Sequence, residues 1–382
     1  MKVIEAISDT NIGGAGRLLL TRLLKSDRNN VDTTVVLPAG SMLKEKVEGI
    51  GISLREIEGC FDKSFDVGAI FKLMRIIRDI EPDIVNCHGC MSARIAAFLC
   101  RVPVRIYTRH CAYPTPRYLN VPFTRWIVGM LGARISTNAI AVAEVAKGDL
   151  ISTGFPSERI KVIINGVEGL KKYSDEERYR ARRELGVDGS FVVGICARLE
   201  ACKGHESFLR AARILIKDSG AYRFIVVGGG SLEDELKEFA RNLGIADKVI
   251  FTGFSDDIEK YFNCFDLNVN CSVGTETSSL ALSEGMSIGL PAVASSYGGN
   301  PYMIKHGENG FIYPVGDFYS LAQMIRRIAE DRELYERMSR AAYERYASEL
   351  NSKKMTAETE AYYRELYIER VSDIEGLTSG ED

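Results

Sequence analysis

The chain has 382 residues, 46% of them hydrophobic and 26% charged, with a formal net charge of −3. This ordinary globular composition excludes a disordered, collagenous or fibrous chain, and the length predicts two to three domains at about 150 residues each. No apolar run reaches the roughly 18 residues a membrane span needs; the longest candidate, around 126–131, is broken by Gly129 and Gly132 and flanked by Arg125 and Arg134. Met1–Asp9 is too briefly apolar and too acidic for a secretion signal, so the chain is expected to stay in the cytoplasm. The nine cysteines are odd in number and scattered, which reads as reduced thiols. Cys87-His88-Gly89-Cys90 has no second pair at zinc spacing, so no metal site is expected there.

In chain order, Lys2–Ile7, Thr33–Leu37, Ile84–Cys87, Val104–Thr108, Ile140–Ala143 and Lys161–Ile164 read as strands, rich in Val and Ile and bounded by Gly, Pro, Asn or Asp. Helical patterns lie between them at Gly14–Leu24, Val67–Ile80 and Phe123–Leu131. The second half repeats the scheme. Phe191–Ala197, Arg223–Val227, Lys248–Thr252, Asp266–Cys271, Pro291–Ala294 and Phe311–Tyr313 are predicted strands. His205–Lys217, Leu232–Leu243, Leu280–Ile288 and Tyr319–Ile328 are predicted helices. Continuous apolar strands separated by helices imply α/β domains with parallel sheets buried on both faces. About six strands per half gives two doubly wound domains: 1–168, then a linker at 169–190, then 191–350. A last helix, 351–371, has no strand after it, and the acidic tail 372–382 is expected to be disordered.

Ligands of such sheets bind beyond the carboxyl ends of the strands, so the loops there are where chemistry is sought. After the first strand, Asn11-Ile12-Gly13-Gly14-Ala15-Gly16 opens a helix; Gly13 and Gly14 let a phosphate or sugar approach the backbone. The pattern is not G-x-G-x-x-G and no acid closes the second strand, which argues against dinucleotide binding. His110 follows Tyr107-Thr108-Arg109 at another strand end. Arg198 and Lys203, five residues apart, could clamp a diphosphate through a planar fork and a point charge. Thr277, Ser278 and Ser279 are N-cap types just before the apolar run that starts at Leu280. Unpaired amides and a positive dipole there suit a diphosphate. Glu276 and Glu284 flank that point at different depths, one suited to sugar hydroxyls and the other to a ribose diol. Glu284 falls within a run that is otherwise nearly all apolar or small, where a carboxylate needs a partner.

Together these residues resemble the retaining glycosyltransferases of family four. The carrying motif is E-x7-E, here Glu276 and Glu284, with R-x4-K-G at Arg198, Lys203 and Gly204. Gly228-Gly229-Gly230, Phe251-Thr252-Gly253, Gly298-Gly299-Asn300 and Thr108-Arg109-His110 fit in order. Cys271-Ser272 stands where the family often has Pro-Ser, and Thr277-Ser278 where it often has Gly and an aromatic; both acids remain. The resemblance implies a GT-B architecture: two facing Rossmann-like domains, with a C-terminal helix crossing back to the N-terminal domain. It also implies a nucleotide-diphosphate sugar as donor, UDP-sugar favoured over GDP-sugar. Arg198 and Lys203 would hold the diphosphate, Glu284 the ribose and Glu276 the transferred sugar. Amides around Ser278, Ser279 and Leu280 would contact phosphate and sugar, Gly253 the base, and Gly13 and Gly14 the diphosphate or the acceptor. His110 would contact the sugar near the reacting carbon. No cofactor is implied. The chain has no D-x-D, so no metal held by that device is indicated. Two alternatives share the fold: a nucleotide-sugar epimerase, and a non-catalytic sugar-binding relative.

Charge is unevenly spread. Residues 1–168 carry +5 and residues 169–382 carry −8, and no acid occurs between Asp83 and Glu144. Within that stretch Tyr113, Tyr118, Phe123, Trp126, Ile127 and Met130 mix with Arg117, Arg125 and Arg134. Two readings follow: an interfacial helix serving an anionic membrane that carries a glycan or lipid-linked acceptor, or a helix packed into the domain with its arginines solvated. Nothing points to nucleic acid.

Overall fold

The computed structural model describes residues 1–58, 64–111 and 121–378; Tyr113, Arg117 and Tyr118 lie outside the described residues. The chain divides into two compact units, Met1–Gly166 with Ser352–Asp382, and Val167–Asn351.

The first unit is built on strands β1 (Lys2–Ile7), β2 (Asp32–Pro38), β3 (Ser53–Ile57), β4 (Ile84–His88), β5 (Val104–Arg109), β6 (Asn138–Ala141) and β7 (Ile160–Val162). They form one sheet in the order β3-β2-β1-β4-β5-β6-β7, and every pairing is parallel. Side chains alternate between its faces. Ile4, Ala6 and Val36 pack with Leu73 and Ile77 of helix Val67–Ile80, whereas Ile7, Val35 and Leu37 pack with Leu19 and Leu23 of helix Gly14–Lys25. Helix Ser352–Thr378 runs beyond Val371, and residues 379–382 lie outside the described residues. This helix returns to the first unit, where Glu360 accepts hydrogen bonds from the Ser26 hydroxyl at 2.8 Å and the Asp27 amide at 3.0 Å.

β3 is a seventh strand that the apolar pattern does not reveal. Only Ile57 of its five residues is buried, and Glu56 pairs with Lys44 at 2.6 Å. It is a charged, half-solvated edge, as sheet edges commonly are.

The second unit carries β8 (Phe191–Cys196), β9 (Tyr222–Val227), β10 (Val249–Phe251), β11 (Leu267–Asn270), β12 (Ala292–Ser295) and β13 (Gly310–Tyr313). They pair in the parallel order β10-β9-β8-β11-β12-β13. The stretch 169–190 contains helix Asp175–Glu184, started by a Ser174/Glu177 capping box. Asp266 anchors this helix to the sheet, accepting from Arg178 at 2.6 Å, Arg182 at 3.0 Å and the Val192 amide at 2.7 Å.

In both sheets the strand order reverses once, at β1/β4 and at β8/β11. Loops leaving the two strands at such a point diverge to opposite faces and leave a crevice beyond their carboxyl ends.

Candidate active site

In the second unit the switch point brings two sequence-distant loops together. Lys203, on the loop after β8, meets Glu276, on the loop after β11, at 2.8 Å. Both side chains are largely shielded from water. The same Glu276 oxygen accepts from the Ser272 hydroxyl at 2.7 Å and the Asn270 amide at 3.2 Å. Asn270 also donates to the Ser279 hydroxyl at 3.0 Å, while its own oxygen accepts from the Ser272 amide and from Asn300. Ser279 caps helix Leu280–Ser287, accepting from the Leu282 amide. One connected set of bonds therefore fixes the acid, the lysine and the start of the helix.

Backbone approaches hold these loops so close that only glycine fits. A Cβ on Gly298 would lie 1.8 Å from the Glu276 carbonyl oxygen, and one on Gly299 1.8 Å from that of Thr277. Gly204, at φ +67°, faces the Cys271 carbonyl, and the Val273 amide donates to the Cys202 carbonyl at 2.8 Å. Thr275 itself holds φ +50°, an uncommon conformation for a non-glycine residue, next to Glu276.

Arg198 is exposed on the loop that carries Lys203. The Gly228 turn packs on the Ala197 carbonyl, and the Gly228 amide donates to the Gly253 carbonyl at 3.0 Å, so Gly253 stands two loops from Arg198. A Cβ on Gly253 would meet open space. Glu284 is 2% exposed, inside helix Leu280–Ser287. Thr277 and Ser279 are buried, and Ser278 and Leu280 are half-buried.

His110, Gly13 and Gly14 belong to the first unit. Gly13 is the N-cap of helix Gly14–Lys25 with no side chain capping it; both glycines are exposed, and nothing lies within 4 Å of a Cβ on Gly14. His110 stacks on His88 with ring centroids 5.1 Å apart, and its Nε2 lies 2.7 Å from His88 Nδ1. His88 Nε2 is in turn 2.7 Å from Glu5, a wholly buried carboxylate in the middle of β1. Glu5 is ion-paired with Arg22 and accepts from Tyr363 at 2.9 Å and Asn86 at 3.0 Å. Burial alone would raise the Glu5 pKa, but Arg22 and the His88 hydrogen bond hold it below the ordinary carboxylate value. Burial pushes His110 well below the ordinary imidazole value.

The sequence reading gave no site role to Asn270, Ser272, Glu5 or His88. Polar residues closing an apolar strand at Asn270-Cys271-Ser272, and a lone acid inside the run Lys2–Ile7, were the available signals. The Cys87 thiol is buried, which pushes its pKa to about 12, well away from a reactive thiolate.

Residues 12–168 match the family model described as Glycosyltransferase Family 4, and residues 177–345 that described as Glycosyl transferases group 1. The chain belongs to the glycosyltransferases of GT-B fold. It is 27% identical over 280 residues to the UDP-Gal:alpha-D-GlcNAc-diphosphoundecaprenol alpha-1,3-galactosyltransferase of Escherichia coli, covering 70% of this glycosyltransferase and 72% of that one. It is 23% identical over 352 residues to the capsular polysaccharide biosynthesis glycosyltransferase CapM of Staphylococcus aureus, covering 88% and 90%. Among solved structures, Anabaena HepE in complex with UDP superposes with a TM-score of 0.83 at 23% identity, covering 96% of this chain and all of that one.

Another buried imidazole in this glycosyltransferase gives a test of the site's packing. His205 follows Lys203 and Gly204; burial, with Lys203 adding, pushes its pKa down to about 4, and neither ring nitrogen has a partner among the described residues. In the unfolded chain it takes up a proton below about pH 6.5. Its contribution to stability is therefore fully present above about pH 6.5 and is lost as the pH falls towards 4. Denaturant titrations at pH 7 and 4.5 should show His205→Gln losing about 2 kcal/mol less than the unsubstituted protein over that interval. Equal losses would show that His205 is not held neutral.

Proposed function

We propose that this protein is a retaining glycosyltransferase. It moves a sugar from a UDP-sugar, in preference to a GDP-sugar, to a glycan or lipid-linked acceptor in cell-surface polysaccharide or glycolipid synthesis. The observation that carries the reading is the Lys203–Glu276 pair at the β8/β11 switch point, beside the capped start of helix Leu280–Ser287. A cation, an acid and a helix N-terminus in one place match what a nucleotide sugar presents: a diphosphate, sugar hydroxyls and a leaving group that gains charge. The UDP preference draws support from the UDP-Gal donor in the galactosyltransferase's name and the UDP bound to HepE.

In this mechanism Arg198 and Lys203 stabilise the departing nucleoside diphosphate, and the amides of Ser278, Ser279 and Leu280 add the helix dipole. Glu276 holds the hydroxyls of the transferred sugar and Glu284 the ribose. Gly253 lines the base. The transition state is oxocarbenium-like, and the acceptor attacks the face from which the diphosphate leaves. The leaving phosphate takes the acceptor's proton. His110 meets a substrate hydroxyl near the reacting carbon, and Gly13 and Gly14 meet the diphosphate or the acceptor. With two side-chain cations and a helix N-terminus supplying positive charge, and no D-x-D in the chain, turnover proceeds without divalent metal.

The acceptor's setting draws support from helix Pro122–Ile135. It seats on the domain through Gly129, whose Cβ would fall 2.1 Å from the Gly154 carbonyl. Phe123, Trp126, Met130 and Leu131 are left between 48% and 66% exposed, and Arg125 and Arg134 are exposed too. Apolar side chains among cations suit an anionic headgroup layer, to which each Arg adds about 1 kcal/mol. No helix among the described residues is long and apolar enough to cross a membrane.

Steady-state kinetics with UDP-sugars test the chemistry. Arg198→Ala and Lys203→Ala should each lower turnover at least about tenfold. Glu284→Ala should weaken donor binding by about 1.5–3 kcal/mol, and chelator should leave the rate unchanged. Full activity in the Lys203 and Glu284 variants, or an absolute need for a divalent cation, would overturn the mechanism. Co-sedimentation with vesicles tests the surface. Binding should require anionic lipid, weaken with salt and fall in Arg125→Ala/Arg134→Ala; indifference to anionic vesicles at low salt would refute it.

A further inference from the structure

We infer that Glu5 and His88 are positioning residues that fix the tautomer of His110, leaving its Nδ1 as a bare hydrogen-bond acceptor for a substrate hydroxyl. The inference rests on the reading of His110 as a substrate contact, and goes beyond it by naming what sets its proton.

The chain of partners leaves little freedom. Ionised Glu5 has only acceptor oxygens, so the hydrogen in its 2.7 Å contact with His88 sits on His88 Nε2. The 2.7 Å contact between His88 Nδ1 and His110 Nε2 holds one further hydrogen. Were it on His88, that ring would be an imidazolium. Arg22 already faces the Glu5 carboxylate, and a second cation packed against the same buried group is disfavoured relative to a neutral ring. The hydrogen therefore belongs to His110 Nε2, which donates to His88. His110 Nδ1 then carries a lone pair, and this buried nitrogen has no partner among the described residues. His110 also lines a small cavity of about 40 Å³ together with Arg22, His88, Thr108 and Asn165. Tyr363 and Asn86 hold the other positions around Glu5, and Thr108 donates to the Asn86 oxygen at 2.7 Å, so neither the carboxylate nor the amide can turn. A histidine that must accept from a hydroxyl needs its other nitrogen to donate, and this network enforces that state.

The chain has four histidines, so ¹⁵N-histidine labelling of the full-length protein resolves each ring. Long-range proton–nitrogen correlation at neutral pH should show His110 as the neutral Nε2–H form. An Nδ1–H form or an imidazolium overturns the inference. His88→Phe removes the acceptor and should scramble the His110 tautomer and lower kcat at least about tenfold, with the donor KM within about twofold. His88→Asn, whose side-chain oxygen can stand in for Nδ1, should restore both the tautomer and the rate. Equal damage by Phe and Asn would mean that His88 acts only by packing, which also overturns the inference. If His88→Phe fails to fold, the spectrum of the unsubstituted protein still decides. His110→Ala separates the two readings. Full activity there with the Nε2–H form present in the parent sinks the substrate contact, whereas an inactive variant with the Nδ1–H form in the parent sinks the relay alone.

Discussion

A carboxylate taken out of water must be paired, or it destabilises the fold by several kcal/mol. Each unit of this protein is organised around one such group at the reversal of its strand order. In the first unit Glu5 is wholly buried and gathers Arg22, Asn86, His88 and Tyr363 from two helices and a neighbouring strand. In the second Glu276 is 6% exposed and gathers Lys203, Asn270 and Ser272. The roles differ. Glu5 satisfies its oxygens entirely within the protein and passes its influence on through a histidine. Lys203, Asn270 and Ser272 all donate to Oε2 of Glu276, and Lys203 is a cation that a diphosphate would compete for.

Packing of backbone on backbone makes the second arrangement rigid. Gly204 against Cys271, Gly228 against Ala197, and Gly298 and Gly299 against Glu276 and Thr277 bring four strand-end loops to distances that no side chain could occupy. Catalysis by electrostatic stabilisation needs groups already in place before charge develops, and loops fixed this way reorganise little. Strain concentrates at the same point, in the left-handed Thr275 beside the acid.

Much of this was legible in the sequence because buried parallel strands are apolar on both faces and each is followed by a helix. The spacing of Glu276 and Glu284, the N-cap residues before Leu280 and the pair Arg198/Lys203 could be read locally. What could not be read is whatever depends on contacts far apart in the chain. Glu5 and Tyr363 are 358 residues apart, and only folding brings the C-terminal helix against β1. β3 escaped because its side chains are mostly charged and half-solvated. Helix Pro122–Ile135 had two readings, buried or interfacial, because periodicity shows which residues share a face but not what covers it. The close approach of Gly129 to Gly154 leaves Phe123 and Trp126 in solvent. Arg117, which the sequence grouped with Arg125 and Arg134, lies outside the described residues.

We propose that the crevice beyond β8 and β11 holds a nucleotide sugar through Lys203, Arg198 and the start of helix Leu280–Ser287. Thermal-shift titration with UDP, GDP and their sugars measures this without knowledge of the acceptor, because a ligand that binds only the folded state at 100 times its Kd adds about 2.7 kcal/mol of stability. Tm should rise saturably with UDP, less with GDP, and much less in Lys203→Ala and Arg198→Ala proteins that fold normally. A Tm that no nucleotide moves, or a UDP shift undiminished in both variants, would contradict it.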